Sequence, residues 1–341
     1  LINKTGDFFM IKRLLLGMIL AVFLVIGLGA CGQAQEVEPK PDDNSLMEVT
    51  LPLGYIPNIQ FAPLYVAVEH GHFADAGFDV SFDYRFETDG LALVGQGTIP
   101  FAVVSGEQVL LARAQEIPVK YVVSWFQDFP VGVTAKSSSG IESPEDLVGK
   151  SVGLPGLYGA NYIGLIALLN SVGVDPTDLT MESIGYNQVE ALASDQVDAV
   201  AIYVTNEPIQ LRSKGYQINE IAVADHVHLV GNGIITNETL ITEDPDMVAR
   251  FVTAFLKGLA DTISDPEEAY QLSMNHVDGL ADQDKTIQME VLNRSIGYWK
   301  AEPLGKIDPV GWENMLEVLL AMELLDDPIP PEESYTTQFV E

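Results

Sequence analysis

Thiols are almost missing from this chain: Cys31 is the single cysteine in 341 residues. That excludes a disulfide framework, and beyond residue 31 it excludes a thiol nucleophile or a cysteine-based metal centre. The body must therefore be held by its core, and the roughly 300 residues after Cys31 are enough for one, most simply as two lobes. Basic side chains are scarce as well, with 17 Lys and Arg against 49 Asp and Glu and a formal charge of −32. So acidic a surface repels nucleic acid and anionic lipid faces. Beyond residue 30 the arginines are Arg85, Arg113, Arg212, Arg250 and Arg294. Sites for sulfate, sulfonate or phosphate usually draw on arginine or helix N-termini, so the scarcity favours a neutral or cationic ligand. No Gly-x-Ser-x-Gly turn, Ser-His-Asp set or Cys-His set has supporting context. The loop Pro155-Gly156-Leu157-Tyr158-Gly159 lacks the Lys-Ser/Thr ending of a phosphate-binding loop, which excludes nucleotide hydrolysis.

The N-terminus carries one apolar run, Leu14 to Ile26, thirteen uncharged residues. A spanning helix needs ~20. The preceding Met10-Ile11-Lys12-Arg13 is a basic n-region, so the run reads as a secretory h-region, with residues 1–9 as an upstream extension and Met10 as a plausible start. It ends in Leu28-Gly29-Ala30-Cys31, which resembles the lipobox of bacterial lipoproteins. That resemblance implies cleavage before Cys31 and a diacylglycerol on its thiol; more than one acyl chain makes such anchoring stable. Residues 32–45, polar and holding Pro39 and Pro41, read as a disordered tether. The expected layout is a signal segment over 1–30, a lipidated cysteine and tether over 31–46, and an ordered body anchored to the outer face of the cytoplasmic membrane.

Alternating strands and helices follow. Strands are expected at Glu48–Leu53, Phe78–Tyr84, Phe101–Val104 and Val119–Ser124, with helices at Phe61–His70, Asp89–Gly95 and Gly106–Gln115. The pattern repeats from Ser143-Pro144-Glu145-Asp146, which has the N-cap, proline and first-turn acids of a helix start. Strands at Ser151–Leu154, Thr180–Ile184, Ala199–Tyr203 and Ile218–Val223 alternate with helices at Asn161–Ser171, Val189–Ser194 and near Pro208. After residue 235 helices dominate: Pro245–Ser264, Pro266–Asn275, Lys285–Lys300 and Pro309–Leu325. This predicts two α/β lobes, the first from 47–130 plus 235–341 and the second from 131–234. The crossings are expected near Gln127–Thr134 and His228–Thr236, with a ligand cleft between the lobes.

Gly54-Tyr55-Ile56-Pro57-Asn58, Tyr65-Val66-Ala67, Gly71-His72-Phe73, Gly77-Phe78, residues 141–153 (IESPEDLVGKSVG), Gln188–Leu192 and Val197-Asp198-Ala199 occur in this order. Over residues 48–275 the chain resembles the solute-binding proteins of nitrate, sulfonate and thiamine-pyrimidine ABC importers. The resemblance implies a bilobal periplasmic-binding-protein-like α/β fold of type II, closing on its ligand like a flytrap. GYIPNIQFAPLYVA, FETDG, SGEQVLLARAQ, IGYNQVEAL and NEPIQL look like a branch proposed to bind riboflavin. The pyrimidine-precursor branch has Asn-Thr-Asn-His where Asn58-Ile59-Gln60-Phe61 stand here. A related enzymatic branch, which makes the thiamine pyrimidine, carries a cysteine-rich motif that this chain lacks. The implied function is capture of riboflavin or a similar neutral heteroaromatic for ABC permease subunits, by a monomer without cofactor or catalysis. The alternatives are a formylaminopyrimidine-type thiamine precursor, a sulfonate, a synthase of the thiamine pyrimidine, or a structural or sensory lipoprotein.

A flat heteroaromatic needs faces to stack on and a polar rim. Tyr55, Phe86, Trp125, Tyr158, Tyr186 and Tyr203 sit at or near strand ends and loops, where an α/β cleft opens; Tyr121 reads as core. Trp125 leads, because Ser124, Gln127 and Asp128 around it argue against full burial. Asn58, Gln60, Ser105, Glu107, Gln127, Asn187, Asn206 and Glu207 supply the rim. For Asn58 and Asn187 the plainer role is a cap or turn; for Glu207 it is a helix-start acid. Among the five histidines, His70/His72 and His226/His228 have the i, i+2 spacing of one strand face. His226 and His228 read as exposed or hydrogen-bonded, and no metal is expected.

Overall fold

The computed structural model describes residues 46–340. The signal segment, lipobox and tether expected over 1–45 lie outside them. The chain enters as β1 (Met47–Pro52). Asn58 then caps a 3-10 turn by accepting from Gln60 N at 2.9 Å. Helix α1 (Ala62–Glu69) starts with proline in its first turn and buries Ala62 to Ala67, so it is a core helix, apolar on nearly every face. Gly71, at φ +74, takes the left-handed conformation that reverses the chain into the short α2 (His72–Asp75). Strand β2 (Phe78–Asp83) returns parallel to β1 over six residue pairs. Helix α3 (Glu87–Gly95), β3 (Phe101–Ser105), α4 (Gly106–Ala114) and β4 (Val119–Ser124) complete the first pass.

The second unit contains β5 (Val131–Lys136), β6 (Ser151–Leu154), α5 (Gly159–Ser171), β7 (Thr180–Ser183), α6 (Gln188–Ala193), β8 (Ala199–Tyr203), α7 (Glu207–Ser213) and β9 (Ile218–Ala222). These strands form one sheet in the order β7-β6-β8-β5-β9, with β6 parallel to its neighbours and β5 antiparallel to both of its own. Strand β10 (Asn232–Asn237) then returns to lie antiparallel between β3 and β4, in a three-stranded sheet separate from the β1-β2 pair. Helices α8 (Glu238–Glu243), α9 (Pro245–Ser264), α10 (Pro266–Ser273), α11 (Lys285–Trp299) and α12 (Pro309–Ala321) close the chain. No described helix is long and apolar enough to cross a membrane.

Two stretches that the sequence reading gave to the crossings are partly strands: β5 and β10 each sit inside a sheet. The chain therefore crosses within 125–130 and 223–231. Glycine hides both strands. Gly132 packs against Val204 and the backbone of β9, and Gly233 lies under the Tyr121 ring. Missing side chains at such positions break the alternation by which strands are read.

The late helices start as their sequences dictate. Asp244, Asp265, Asp284 and Asp308 cap α9 to α12, accepting backbone N–H bonds of 2.8–3.1 Å, and proline opens three of the four. Helix α9 lies on α1, and Gly258 meets the Pro63 carbonyl and Ala67. A methyl group there has to push two backbones apart. Gly258→Ala gains up to about 1 kcal/mol of helix propensity but incurs overpacking of about 1–3 kcal/mol. A net loss in the urea unfolding midpoint is expected; a gain would show that the two helices yield.

Candidate functional site

Strands of all three sheets end at one cleft, whose roughly 970 Å³ of empty space includes open solvent. Leu53, Gly54 and Tyr55 follow β1, Phe86 to Thr88 follow β2, and Trp125 and Phe126 follow β4. Opposite stand Pro155, Gly156 and Tyr158 to Asn161 after β6, Tyr186 and Gln188 after β7, and Tyr203 at the end of β8.

Aromatic rings wall the cleft from both sides. Phe86 and Tyr158, 45 % and 52 % exposed, meet edge to face with centroids 5.8 Å apart. Tyr186 lies 6.0 Å from Phe86 and 4.9 Å from Tyr55. Deeper, Phe126 stacks over Tyr203 at 6.4 Å. Exposed rings of this size cost solvation unless something covers them, and they present flat faces to a flat ligand.

The polar groups are acids and amides, with no Lys, Arg or His in the lining. Glu87 accepts from Ser105 N at 3.0 Å and Oγ at 2.6 Å, and from Asn232 Nδ2 at 2.8 Å. Ser105 Oγ also lies 2.5 Å from Glu107 Oε1. One hydroxyl proton cannot serve both carboxylates, so a proton must come from a carboxyl group. Burial, then the charge of Glu87, pushes Glu107 up to about 7, and burial raises Glu87 as well. The arrangement that satisfies every contact has protonated Glu107 donating to Ser105, which donates to Glu87. Across the cleft, burial pushes Glu207 up to about 7. It accepts from Tyr203 N at 3.0 Å, Asn206 Nδ2 at 3.1 Å and Tyr55 Oη at 3.4 Å. Helix α5 starts at the cleft without a side-chain cap, so its first amides point at whatever occupies it. Asn161 Nδ2, in the same turn, is buried without a partner.

Several bonds tie the two units together at this site. Gln60 Nε2 donates to Thr205 Oγ1 at 2.5 Å, Tyr186 Oη to the Gly54 carbonyl at 3.3 Å, and Tyr203 Oη to Asn232 Oδ1 at 3.0 Å. Arg294 on α11 pairs with Glu220 on β9 at 2.5 Å.

Of the residues proposed from sequence, Tyr55, Gln60, Phe86, Trp125, Tyr158, Tyr186 and Tyr203 line the cleft. Trp125 is not the half-exposed ring its polar neighbours suggested. It is 1 % exposed and packs among Phe61, Phe126, Phe255 and Trp299, because Ser124 turns inward to the Phe126 carbonyl. Ser105, Glu107, Asn206 and Glu207 stand behind the lining and hold it. Asn58 is a cap, and Asn187 closes a turn by donating to the Ile184 carbonyl at 3.0 Å. Gln127 lies away from the cleft, in a small hollow with Tyr121 and His228; Tyr121 is fully buried. His226 and His228 fall in a loop after a 3-10 turn instead of on a strand. Glu87, Gln108, Asn161, Gln188 and Asn232 also line the cleft and are not among the residues expected from sequence. Glu87 follows Phe86 in a stretch already singled out. Asn232 carried no signal, since its strand was hidden.

A bilobal α/β protein with an aromatic-walled cleft where its sheets meet is built to trap a small molecule. The NMT1/THI5-like family model matches residues 58–269. The riboflavin-binding protein RibY of Chloroflexus aurantiacus is 38% identical over 338 residues, covering 94% of this chain and 96% of that one. A formylaminopyrimidine-binding protein of Halalkalibacterium halodurans is 30% identical over 307 residues, covering 87% and 92%. Among solved structures, the alkanesulfonate-binding protein SsuA of Xanthomonas axonopodis pv. citri, bound to MOPS, aligns with TM-score 0.68 at 15% identity, covering 85% of this chain and 98% of that one. The chain belongs to the NMT1/THI5-like family, and its bilobal fold is that of the ABC solute-binding proteins.

Proposed function

We propose that this protein is the exported, lipid-anchored binding component of an ABC importer and that it captures riboflavin or a similar neutral heteroaromatic. The observation that carries this is the lining: aromatic faces from both lobes around an acid and amide rim, without one cation. Similarity to a riboflavin-binding relative supports the same ligand. Mechanism is capture and closure. The ligand enters between Phe86 and Tyr158, the rings cover its faces, and Glu87, Asn161 and the first amides of α5 take up its edge. Contacts such as Gln60 to Thr205 and Arg294 to Glu220 form as the lobes meet, and the closed form docks on the permease. Nothing in the cleft calls for covalent chemistry, and we read the protein as a carrier and not an enzyme. The lobes proposed for this motion are β1 to β4 with β10 and the helices after it, and β5 to β9, so the second limit lies before Asn232 and not at the 234/235 expected from sequence.

A second reading, a formylaminopyrimidine-type thiamine precursor, is favoured by Glu87. A carboxylate inside an aromatic cleft is a natural acceptor for an aminopyrimidine, and a relative is named for such a ligand. A sulfonate fits poorly, because Glu87 would face its charge with no arginine to offset it.

The test is a titration of riboflavin into the chain from Gln33 onward, following flavin fluorescence. One equivalent should quench it. Tyr158→Ala and Phe86→Ala should each weaken binding by about 1–3 kcal/mol, the value of a base stacked on an aromatic ring, with little change in melting temperature because both rings are exposed. Absence of quenching, with binding of the pyrimidine by calorimetry, would move the assignment to the second reading.

A further inference from the structure

Away from the cleft, the first lobe brings a different set of side chains together. His70 ends α1, Gly71 turns the chain, and His72 opens α2, so the two imidazoles project to the same side. Their rings stand almost perpendicular, with centroids 5.7 Å apart. Both reach one oxygen of Asp261 on α9: Oδ2 is 2.8 Å from His70 Nδ1 and 2.6 Å from His72 Nε2. The far nitrogen of His70, Nε2, faces Glu268 Oε1 on α10 at 3.6 Å. This is the one group of three metal-ligating side chains that converges among the described residues, its ligand atoms all within 4.8 Å of one another. It is partly shielded yet reachable, the two histidine side chains being 28 % and 20 % exposed.

The geometry points to a zinc site made by His70 Nδ1, His72 Nε2 and Asp261 Oδ2 on the outer face of the first lobe. Two imidazoles and a carboxylate form a donor set suited to borderline ions such as Zn²⁺, with bonds of about 2.0–2.2 Å and a fourth position left for water. Glu268 stands 3.6 Å from the non-ligating nitrogen of His70, on the side from which an outer carboxylate would orient the ring around a bound ion. The alternative is a carboxylate that only accepts two hydrogen bonds. With His70 as an imidazolium between Asp261 and Glu268 it accounts for the same contacts, and the zinc titration separates the two. Spacing in the sequence marks the two histidine pairs equally. Tertiary structure separates them: Gly71 and α9 focus His70 and His72 on one point, whereas His226 and His228 lie along a loop. An ion held here would clip the α1–α2 turn to α9 and stabilise the first lobe without touching the ligand cleft.

The experiment is a titration of ZnCl₂ into the chain from Gln33 onward, freed of metal with EDTA, read by calorimetry and by competition with a chromophoric chelator. One equivalent of zinc should bind, and zinc should raise the melting temperature, since a ligand that binds only the folded state stabilises it. His70→Ala and His72→Ala should each weaken binding by at least about tenfold, beyond the lower limit known for outer partners, about 10–100-fold. His228→Ala should leave it unchanged. Circular dichroism of each variant in EDTA checks the fold, and Asp261→Asn replaces any histidine variant that fails to fold. The absence of saturable binding would overturn the site. So would zinc binding that survives the His70→Ala/His72→Ala double variant, or that is lost in His228→Ala.

Discussion

Replacing Trp125 with alanine is expected to cost about 3–5 kcal/mol of folding stability, as deletion of a large buried ring does. The indole is 1 % exposed and packs against four aromatic side chains, Phe61, Phe126, Phe255 and Trp299. Its Nε1–H finds no partner, so no hydrogen bond is lost with it and the loss is one of packing. Because Trp125 also forms part of the cleft floor, ligand affinity should fall as well, through collapse of the floor. Trp125→Phe separates the two: it keeps most of the packing and should recover most of the stability. Urea unfolding of the ligand-free protein measures this. A loss under about 0.5 kcal/mol, the usual scale of a surface change, would show that the ring does not hold the floor.

The second large effect is a dependence on pH. Glu107 and Glu207 ionise near 7 in the folded chain, raised by burial from an ordinary value of 4.5. A group whose folded pKa lies above its unfolded one binds more protons when folded, so its contribution falls as pH rises between those values. Stability should therefore be higher near pH 5 and fall on the way to pH 8. At about 1.4 kcal/mol per pH unit, the two acids together contribute on the order of a few kcal/mol, since Glu107 and Glu87 share one proton. The lowered acids, Asp146, Asp175, Asp198, Asp261 and Glu267, act in the opposite sense, but their contribution is lost only below the ordinary carboxylate range. Glu107→Gln and Glu207→Gln should each flatten the slope between pH 5 and pH 8. A slope equal to that of the parent chain in both variants would show that the general surface charge, and not these two acids, drives it. If Glu107 shares its proton with Ser105 and Glu87, ligand affinity should also change over this range, since Glu87 faces the cleft.

Much of this architecture was legible in the sequence because its signals are local. Helices α9 to α12 announce themselves by aspartate caps and prolines, and β1, β3, β4, β6 and β8 by short apolar runs between turns. The aromatics Tyr55, Phe86, Tyr158, Tyr186 and Tyr203 were legible for a related reason: strand ends in an α/β fold face the cleft, and a ring placed there has few other uses. Scarcity of arginine was legible as well, and it agrees with a lining that contains no cation.

What stayed hidden depends on contacts between residues far apart in the chain. Strands β5 and β10 pair in mid-sheet, and their glycines make sense only against Val204 and Tyr121. Trp125 looked half-exposed because polarity of neighbours in sequence says nothing about which way a turn points. Glu87 and Asn232 lie 145 residues apart and become partners only when β10 returns beside β3. By itself, then, the sequence determined the fold class, the two-lobe plan and the chemistry available for a flat ligand, since each of these follows from local pattern and composition. Tertiary structure alone decided which acids are buried, which rings meet across the cleft and which histidines converge, because burial and ion pairing are properties of three-dimensional neighbours.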